Sequence, residues 1–310
     1  MKHLISVSDL GREGIERLLD RASTFSSVAE REIQKVPALR GRLIVNLFYE
    51  ASTRTTSSFE LAAKRLSADV ISVRSSGSSV EKGESLKDTI ATLDAYEPAA
   101  IVVRHPRAGA AGLVAKWTDA SVINAGDGAR AHPTQALLDV HTLRSRFESL
   151  DGMNIWIVGD IAHSRVARST AAAFRLMSAK VTLCGPPTLL PPGIGQALGC
   201  EVRYDLVGME KADVIYSLRM QHERMAGGDV PSLREYTQMY GITPERLSPH
   251  QLVMHPGPVN RGVELDGAVV DSPQCLMSEQ VAAGVDVRMA VLYELLAGER
   301  SQRIEDVAAA

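Results

Sequence analysis

Short apolar runs alternate along this chain with longer stretches whose apolar positions recur three and four residues apart. The first pattern reads as buried strands and the second as amphipathic helices. Leu43 to Phe48 is a clear strand, and a short loop leads from it into a helix that turns Phe59, Ala63 and Leu66 to one face. Val70–Val73, Ala100–Val103 and Ser121–Asn124 are further strands. Between them, Leu86, Ile90 and Leu93 share a helical face, and Gly109–Trp117 can be helical. Ahead of this series a helix is expected from Ser8 to about Ala29, capped by Ser8 or Asp9, with Ile15, Leu18, Leu19, Ala22 and Phe25 inward. Pro133 suits the first turn of a helix reaching about Phe147, packed through Leu137, Leu138 and Val140 or His141.

A second series follows. Met153–Val158, Val181–Cys184, Glu201–Tyr204, Asp213–Ser217 and Gln251–Met254 read as strands. Ser164–Met177 reads as a helix, with a short one at Gln196–Leu198. Ser278–Leu296 reads as an amphipathic helix with Val281, Val285, Met289, Leu292 and Leu296 in one buried stripe. Arg74–Gly83 and Arg219–Asp229 are polar loops rich in small residues. No solenoid repeat is present. Strands alternating with helices imply parallel sheets covered on both faces. The expected fold class is α/β, with two doubly wound parallel-sheet domains, a cleft between them, and interdomain helices joining them.

The charge balance narrows the function. Lys and Arg number 34, Asp and Glu 37, and the net charge is −3. Nothing in it suggests a nucleic-acid or membrane surface. No apolar run approaches spanning length, and the N-terminus has no signal-peptide core. Cys184, Cys200 and Cys275 are scattered and odd in number, so neither a zinc site nor a disulfide framework is expected, and a reducing cytoplasm is.

The candidate chemistry falls just after strands. Ser52, Thr53, Arg54 and Thr55 follow the first, and bring hydroxyls, a guanidinium and backbone N–H groups to a helix start. Such a place favours an anion, and the arginine fork can grip two phosphate oxygens. A Ser/Thr-rich helix cap beside a surface arginine is the plain alternative. A Walker loop is absent. Arg104, His132, Arg165, Arg219 and the His255–Pro258 turn also follow strands. The carboxyl ends of parallel strands form the ligand crevice of open sheets, so these distant residues are expected to converge. Individually each has an ordinary reading: surface arginines, a capping histidine, a solubilising Lys82, a rigid turn.

The motifs then resemble a known family. FYEASTRTTSSFE is similar to the carbamoyl-phosphate signature of the aspartate and ornithine transcarbamoylases. RHP at Arg104–Pro106 and HPTQ at His132–Gln135 resemble two further motifs of that superfamily, in the same order. SSVEKGE, with Ser78 and Lys82, resembles the loop that the aspartate branch lends to a neighbouring active site. LRMQHER, with Arg219 and Gln221, resembles its aspartate-binding loop, and MHPGPVNRGVE its HPxP segment. The ornithine branch carries a Cys in an HCLP motif there. This chain has His255-Pro256-Gly257-Pro258 instead, and Cys275 is too distant to replace that Cys. Arg165, Arg219 and Lys82 suit a dicarboxylate and would repel cationic ornithine.

The resemblance implies transfer of the carbamoyl group from carbamoyl phosphate to L-aspartate, the committed step of de novo pyrimidine (UMP) biosynthesis, without cofactor or metal. It implies that Ser52, Thr53, Arg54 and Thr55 bind phosphate, and that Thr55, Arg104 and His132 polarise the carbonyl. Gln135 and the carbonyls of the Gly257–Pro258 turn would accept from the carbamoyl NH2. Arg165, Arg219 and Gln221 would hold aspartate, with Lys82 bridging phosphate and carboxylate. Domain closure would exclude water. Ser78 and Lys82 from an adjacent chain would make a homotrimer the minimum active unit, and a larger assembly with a regulatory chain or dihydroorotase stays open. The implied domains are 1–133 for carbamoyl phosphate and 134–284 for aspartate, with a C-terminal helix, about 285–310, packing back on the first.

Three other readings stay open here. One is a carbamoyltransferase for another amino acid. Another is a dinucleotide-binding oxidoreductase, suggested by VGDIAHSRVARS after a strand, although G-x-G-x-x-G is missing. The third is an inactive homologue serving as a scaffold.

Overall fold

The computed structural model describes residues 1–74, 83–221 and 232–297. The chain forms two compact units. One runs from Met1 to His141 and takes back the chain from Ala282, and the other is Thr142–Val281.

In the first unit, β1 (Leu43–Phe48), β2 (Asp69–Arg74), β3 (Ala100–His105) and β4 (Ser121–Asp127) form one parallel sheet in the order β2-β1-β3-β4. The helices are α1 (Gly11–Ser26), α2 (Thr53–Arg65), α3 (Leu86–Asp94), α4 (Ala110–Val114) and α5 (Pro133–Arg144). Val45, Leu47, Ile101, Val103 and Val122 pack with Ile90, Leu93, Ala111 and Val114 in one apolar cluster. Leu4 pairs beside β4, giving its N–H to Val122 and accepting from Asn124, so that edge is covered.

The second unit's sheet has the order β7-β6-β5-β8-β9, also parallel throughout. Its strands are β5 (Asn154–Val158), β6 (Lys180–Cys184), β7 (Glu201–Arg203), β8 (Val214–Ser217) and β9 (Leu252–Met254). Its helices are α6 (Arg165–Leu176), α7 (Ile194–Leu198), α8 (Leu233–Tyr240) and α9 (Gly267–Val270). Two doubly wound α/β sheets are thus present, as the alternation of patterns predicts.

Several expectations need correction. The first helix starts at Gly11, because Ser6 caps a separate 3-10 turn over Val7–Asp9, with Asp9 closing the capping box. The helix α8 was hidden in a polar stretch, although Ser232 caps it by accepting from Glu235 N–H, an S-x-x-E signature visible in the sequence. The last helix, α10 (Met277–Leu296), is not singly amphipathic. Val281 is 56% exposed, whereas positions 287–292 are buried all round. It is a core helix of the first unit rather than a surface one: Tyr293 packs edge-on against Phe25 of α1, and Ser26 donates to Asp286.

Candidate active site

In the first unit the chain leaves β1 toward β2 on one side and later enters β3 on the other. The crevice of an open sheet opens at such a reversal. The loop that enters α2 and the end of β3 flank it. Ser52 occupies the N-cap position of α2, but its side chain makes no capping bond. The simple cap reading of this Ser/Thr cluster therefore fails. Thr53 and Arg54 are exposed and Thr55 is buried, and the first-turn amides of the helix point out along its axis. Arg104 lies at the end of β3, its Nη1 donating to the Ala125 carbonyl at 3.2 Å and its Nε 3.5 Å from Glu50 Oε2. Glu50 was not singled out by sequence, where it reads as an ordinary loop carboxylate.

The loop after β4 brings His132 to the same edge. Buried Asp127 accepts from Gly109 N–H at 2.6 Å, Asn124 Nδ2 at 2.8 Å and Ala131 N–H at 3.2 Å. Gly128 N–H donates to the His105 carbonyl. Its φ is +51°, and a Cβ there would lie 2.7 Å from Ala108 N, so only glycine fits. His132 is buried ahead of Pro133, the first residue of α5, and Gln135 is buried one turn on. The first unit thus brings together Ser52–Thr55, Arg104, His132 and the Gln135 helix at the carboxyl ends of β1, β3 and β4. Ser78 and Lys82 lie outside the described residues.

The second unit repeats the plan. The reversal falls between β5 and β8. After β5, Gly159 takes φ +126°, where a Cβ would lie 2.9 Å from Tyr236 Oη. Buried Asp160 then accepts from His163 N–H at 3.1 Å, with the ring Nδ1 at 2.9 Å. Arg165 opens α6, buried, behind the Ser164 cap. Arg168, missed from sequence because it reads as one more exposed helix position, donates to the Ile161, Ala162 and Ser164 carbonyls and fixes the loop. After β8, Leu218 N–H bonds to Val158 O, and Arg219 follows, half-buried. Gln221 Nε2 donates to the His163 carbonyl at 3.3 Å, tying the two loops together. Of the polar loop expected over 219–229, positions 222–229 lie outside the described residues.

The turn after β9 is rigid. His255 Nδ1 accepts from Gly257 N–H at 2.8 Å, which leaves the ring proton on Nε2, 3.4 Å from Glu264 Oε1. Glu264 Oε1 also accepts from Asn260 N–H, and Gln280 Oε1 accepts from His255 N–H. The Gly257–Pro258 bond is cis, and Gly257 has φ +61°.

Other nucleophiles are poorly placed. Burial pushes the Cys184 thiol up to about 12 and Cys200 to about 11, and it raises Cys275 as well, so thiolate is scarce at neutral pH. Among the described residues, no group of three or more His, Cys, Asp or Glu is arranged to hold a metal ion.

Comparison with known proteins agrees with this plan of two units. Residues 2–145 match the aspartate/ornithine carbamoyltransferase carbamoyl-P binding domain, and residues 151–295 the Asp/Orn binding domain of the same family. A relative from Salinispora arenicola, an aspartate carbamoyltransferase catalytic subunit, is 54% identical over 304 residues, covering 96% of this chain and 99% of its own. The aspartate transcarbamoylase of Trypanosoma cruzi in complex with carbamoyl aspartate and phosphate is 34% identical, with a TM-score of 0.87 over 96% of both chains. The catalytic subunit of M. jannaschii aspartate transcarbamoylase is 37% identical, with a TM-score of 0.85 over 97% of this chain and 99% of that one. With both halves matched and a relative above half identity named an aspartate carbamoyltransferase catalytic subunit, the chain belongs to the aspartate/ornithine carbamoyltransferase family.

Proposed function

We propose that this chain transfers the carbamoyl group of carbamoyl phosphate to the amine of L-aspartate, giving N-carbamoyl-L-aspartate and phosphate for pyrimidine synthesis. The observation that carries this reading is the grouping of Ser52–Thr55, Arg104 and His132 at the reversal of the first sheet, in a chain whose solved relative holds carbamoyl aspartate and phosphate.

The chemistry follows from the groups supplied. Ser52, Thr53, Arg54, Thr55 and the first-turn amides of α2 bind the phosphate dianion. Thr55, Arg104 and His132 donate to the carbonyl oxygen, where negative charge grows as the amine attacks. Neutral His132 can do this with one N–H. Gln135 and the Gly257–Pro258 carbonyls accept from the carbamoyl NH2. The second unit supplies Arg165, Arg219 and Gln221 for aspartate. The amine lone pair forms the C–N bond, the C–O bond to phosphate breaks, and the departing phosphate takes the amine proton. Holding the reactants supplies much of the rate.

A homotrimer is the working assembly in this reading, with Ser78 and Lys82 given to a neighbour's site. Mixed trimers of Arg54→Ala and Lys82→Ala chains then recover activity that neither variant has alone. No recovery from demonstrated hybrids contradicts the sharing. A larger assembly, with a regulatory chain or dihydroorotase, is a separate matter of what the trimer meets. No helix of the described residues is long and apolar enough to cross a membrane. The reaction itself is tested by phosphate release from carbamoyl phosphate. Release above spontaneous hydrolysis only when L-aspartate is added supports it, and release indifferent to aspartate opposes it.

A further inference from the structure

The helices α5 and α10 bury two charged groups that the proposed chemistry does not use. Asp139 is fully buried on α5, and Arg288 is 3% exposed on α10. Gln135 Nε2 donates to Asp139 Oδ1 at 3.0 Å. The Arg288 guanidinium donates to the Gly284 carbonyl at 2.8 Å and sits 5.1 Å above the Phe59 ring. Phe59 belongs to α2, the helix that begins at the phosphate loop. Burial draws Arg288 down to about 10, and the nearby charge of Asp139 works against that fall. Two ions kept inside a helix interface are costly and add little net stability, so their presence asks for another reason.

That reason lies in Gln135. A glutamine amide has an acceptor face and a donor face of almost equal size, and a half-turn exchanges them. A carboxylate only accepts, so beside Asp139 the amide must present its NH2, and its Oε1 is turned the other way. We propose that buried Asp139 is a positioning residue that fixes Gln135 as an acceptor and thereby selects an acyl phosphate bearing N–H donors next to its carbonyl. This rests on the carbamoyl-phosphate reading above. A site built to accept from N–H rejects the analogue that lacks it, because its acceptor is left unmatched. Acetyl phosphate, with methyl in place of NH2, is that analogue.

The test is a double-mutant cycle read by calorimetric binding of carbamoyl phosphate and acetyl phosphate. Asp139→Asn lets the amide turn either way, and lowers the preference for carbamoyl over acetyl phosphate by about tenfold or more. In a Gln135→Ala background the same substitution changes that preference less than twofold. Because Asp139→Asn alone strands the Arg288 charge, the paired replacement Asp139→Asn with Arg288→Gln is measured alongside and gives the same loss. An unchanged preference in either folded variant overturns the proposal. So does an equal loss with and without Gln135, which marks a merely structural role. Failure of the underlying reading looks different: the unaltered chain then binds both acyl phosphates alike, or neither.

Discussion

Phe48 and Arg104 stand opposite each other at the carboxyl ends of two neighbouring parallel strands, and Tyr49 N–H donates to the Arg104 carbonyl at 2.9 Å. The register fixes how the loop after β1 meets Arg104, although 56 positions separate the two in sequence. Arg54 is exposed, and in the proposed reading it serves the ligand rather than the core. Arg54→Ala therefore lowers kcat by about a hundredfold or more, while unfolding free energy moves by about 0.5 kcal/mol or less. Steady-state kinetics beside a urea titration check this. A matched loss of stability contradicts it.

In the second unit the Gln221 bond to the His163 carbonyl places Arg219 and Arg165 on adjoining loops. In the proposed reading, removing the Arg219 guanidinium takes away charge-assisted bonds to one aspartate carboxylate. Arg219→Met raises the KM for aspartate by about 10- to 100-fold and leaves carbamoyl phosphate binding within about twofold. Equal weakening of both ligands argues against a role confined to aspartate.

The fold was legible because burial on both faces writes parallel strands as apolar runs: β1 and β5 lie where their runs predict, within a residue at either end, and β3 runs two residues further than its run, to His105. The candidate phosphate loop, Ser52–Thr55, stands out in the sequence because its hydroxyls and guanidinium are contiguous. Asp139 and Arg288 do not. Each sits inside a helix whose apolar neighbours dominate the pattern, and their burial is a tertiary fact. The spacing of four between Gln135 and Asp139 was the one local signal. Val281 misled for the opposite reason: a 3.6-residue stripe assumes one buried face, and α10 is buried on all sides over 287–292.

The packing around Arg288 makes a counter-intuitive stability prediction. Alanine is normally better than glycine inside a helix by about 1 kcal/mol. At position 284 of α10 a Cβ would collide with the Arg288 guanidinium and lie 3.4 Å from Leu138 Cδ2. Gly284→Ala is thus destabilising by about 1–3 kcal/mol. A raised thermal midpoint would show that the interface yields freely.

His105 gives the chain an acid-sensitive step. Burial lowers its pKa below the ordinary 6.5, with the Arg107 charge adding to the fall and Glu50 and Asp127 opposing it. The unfolded chain thus binds a proton that the native state declines. Stability rises with pH where the unfolded state holds more protons, so His105 removes stability as the pH falls below about 6.5. His105→Gln gains on the unaltered chain in thermal midpoint as pH is lowered from about 7.5 to about 5.5. A difference that stays flat across this range contradicts the assignment.

In the proposed reading the chain is a carbamoyltransferase specific for aspartate. The most direct measurement supplies carbon-labelled carbamoyl phosphate with equal concentrations of L-aspartate and L-ornithine and resolves the products. The expected outcome is labelled N-carbamoyl-aspartate and no labelled citrulline. Citrulline as the main product would contradict the roles given to Arg165, Arg219 and Gln221, and no labelled product of either kind from the folded protein would contradict the reaction.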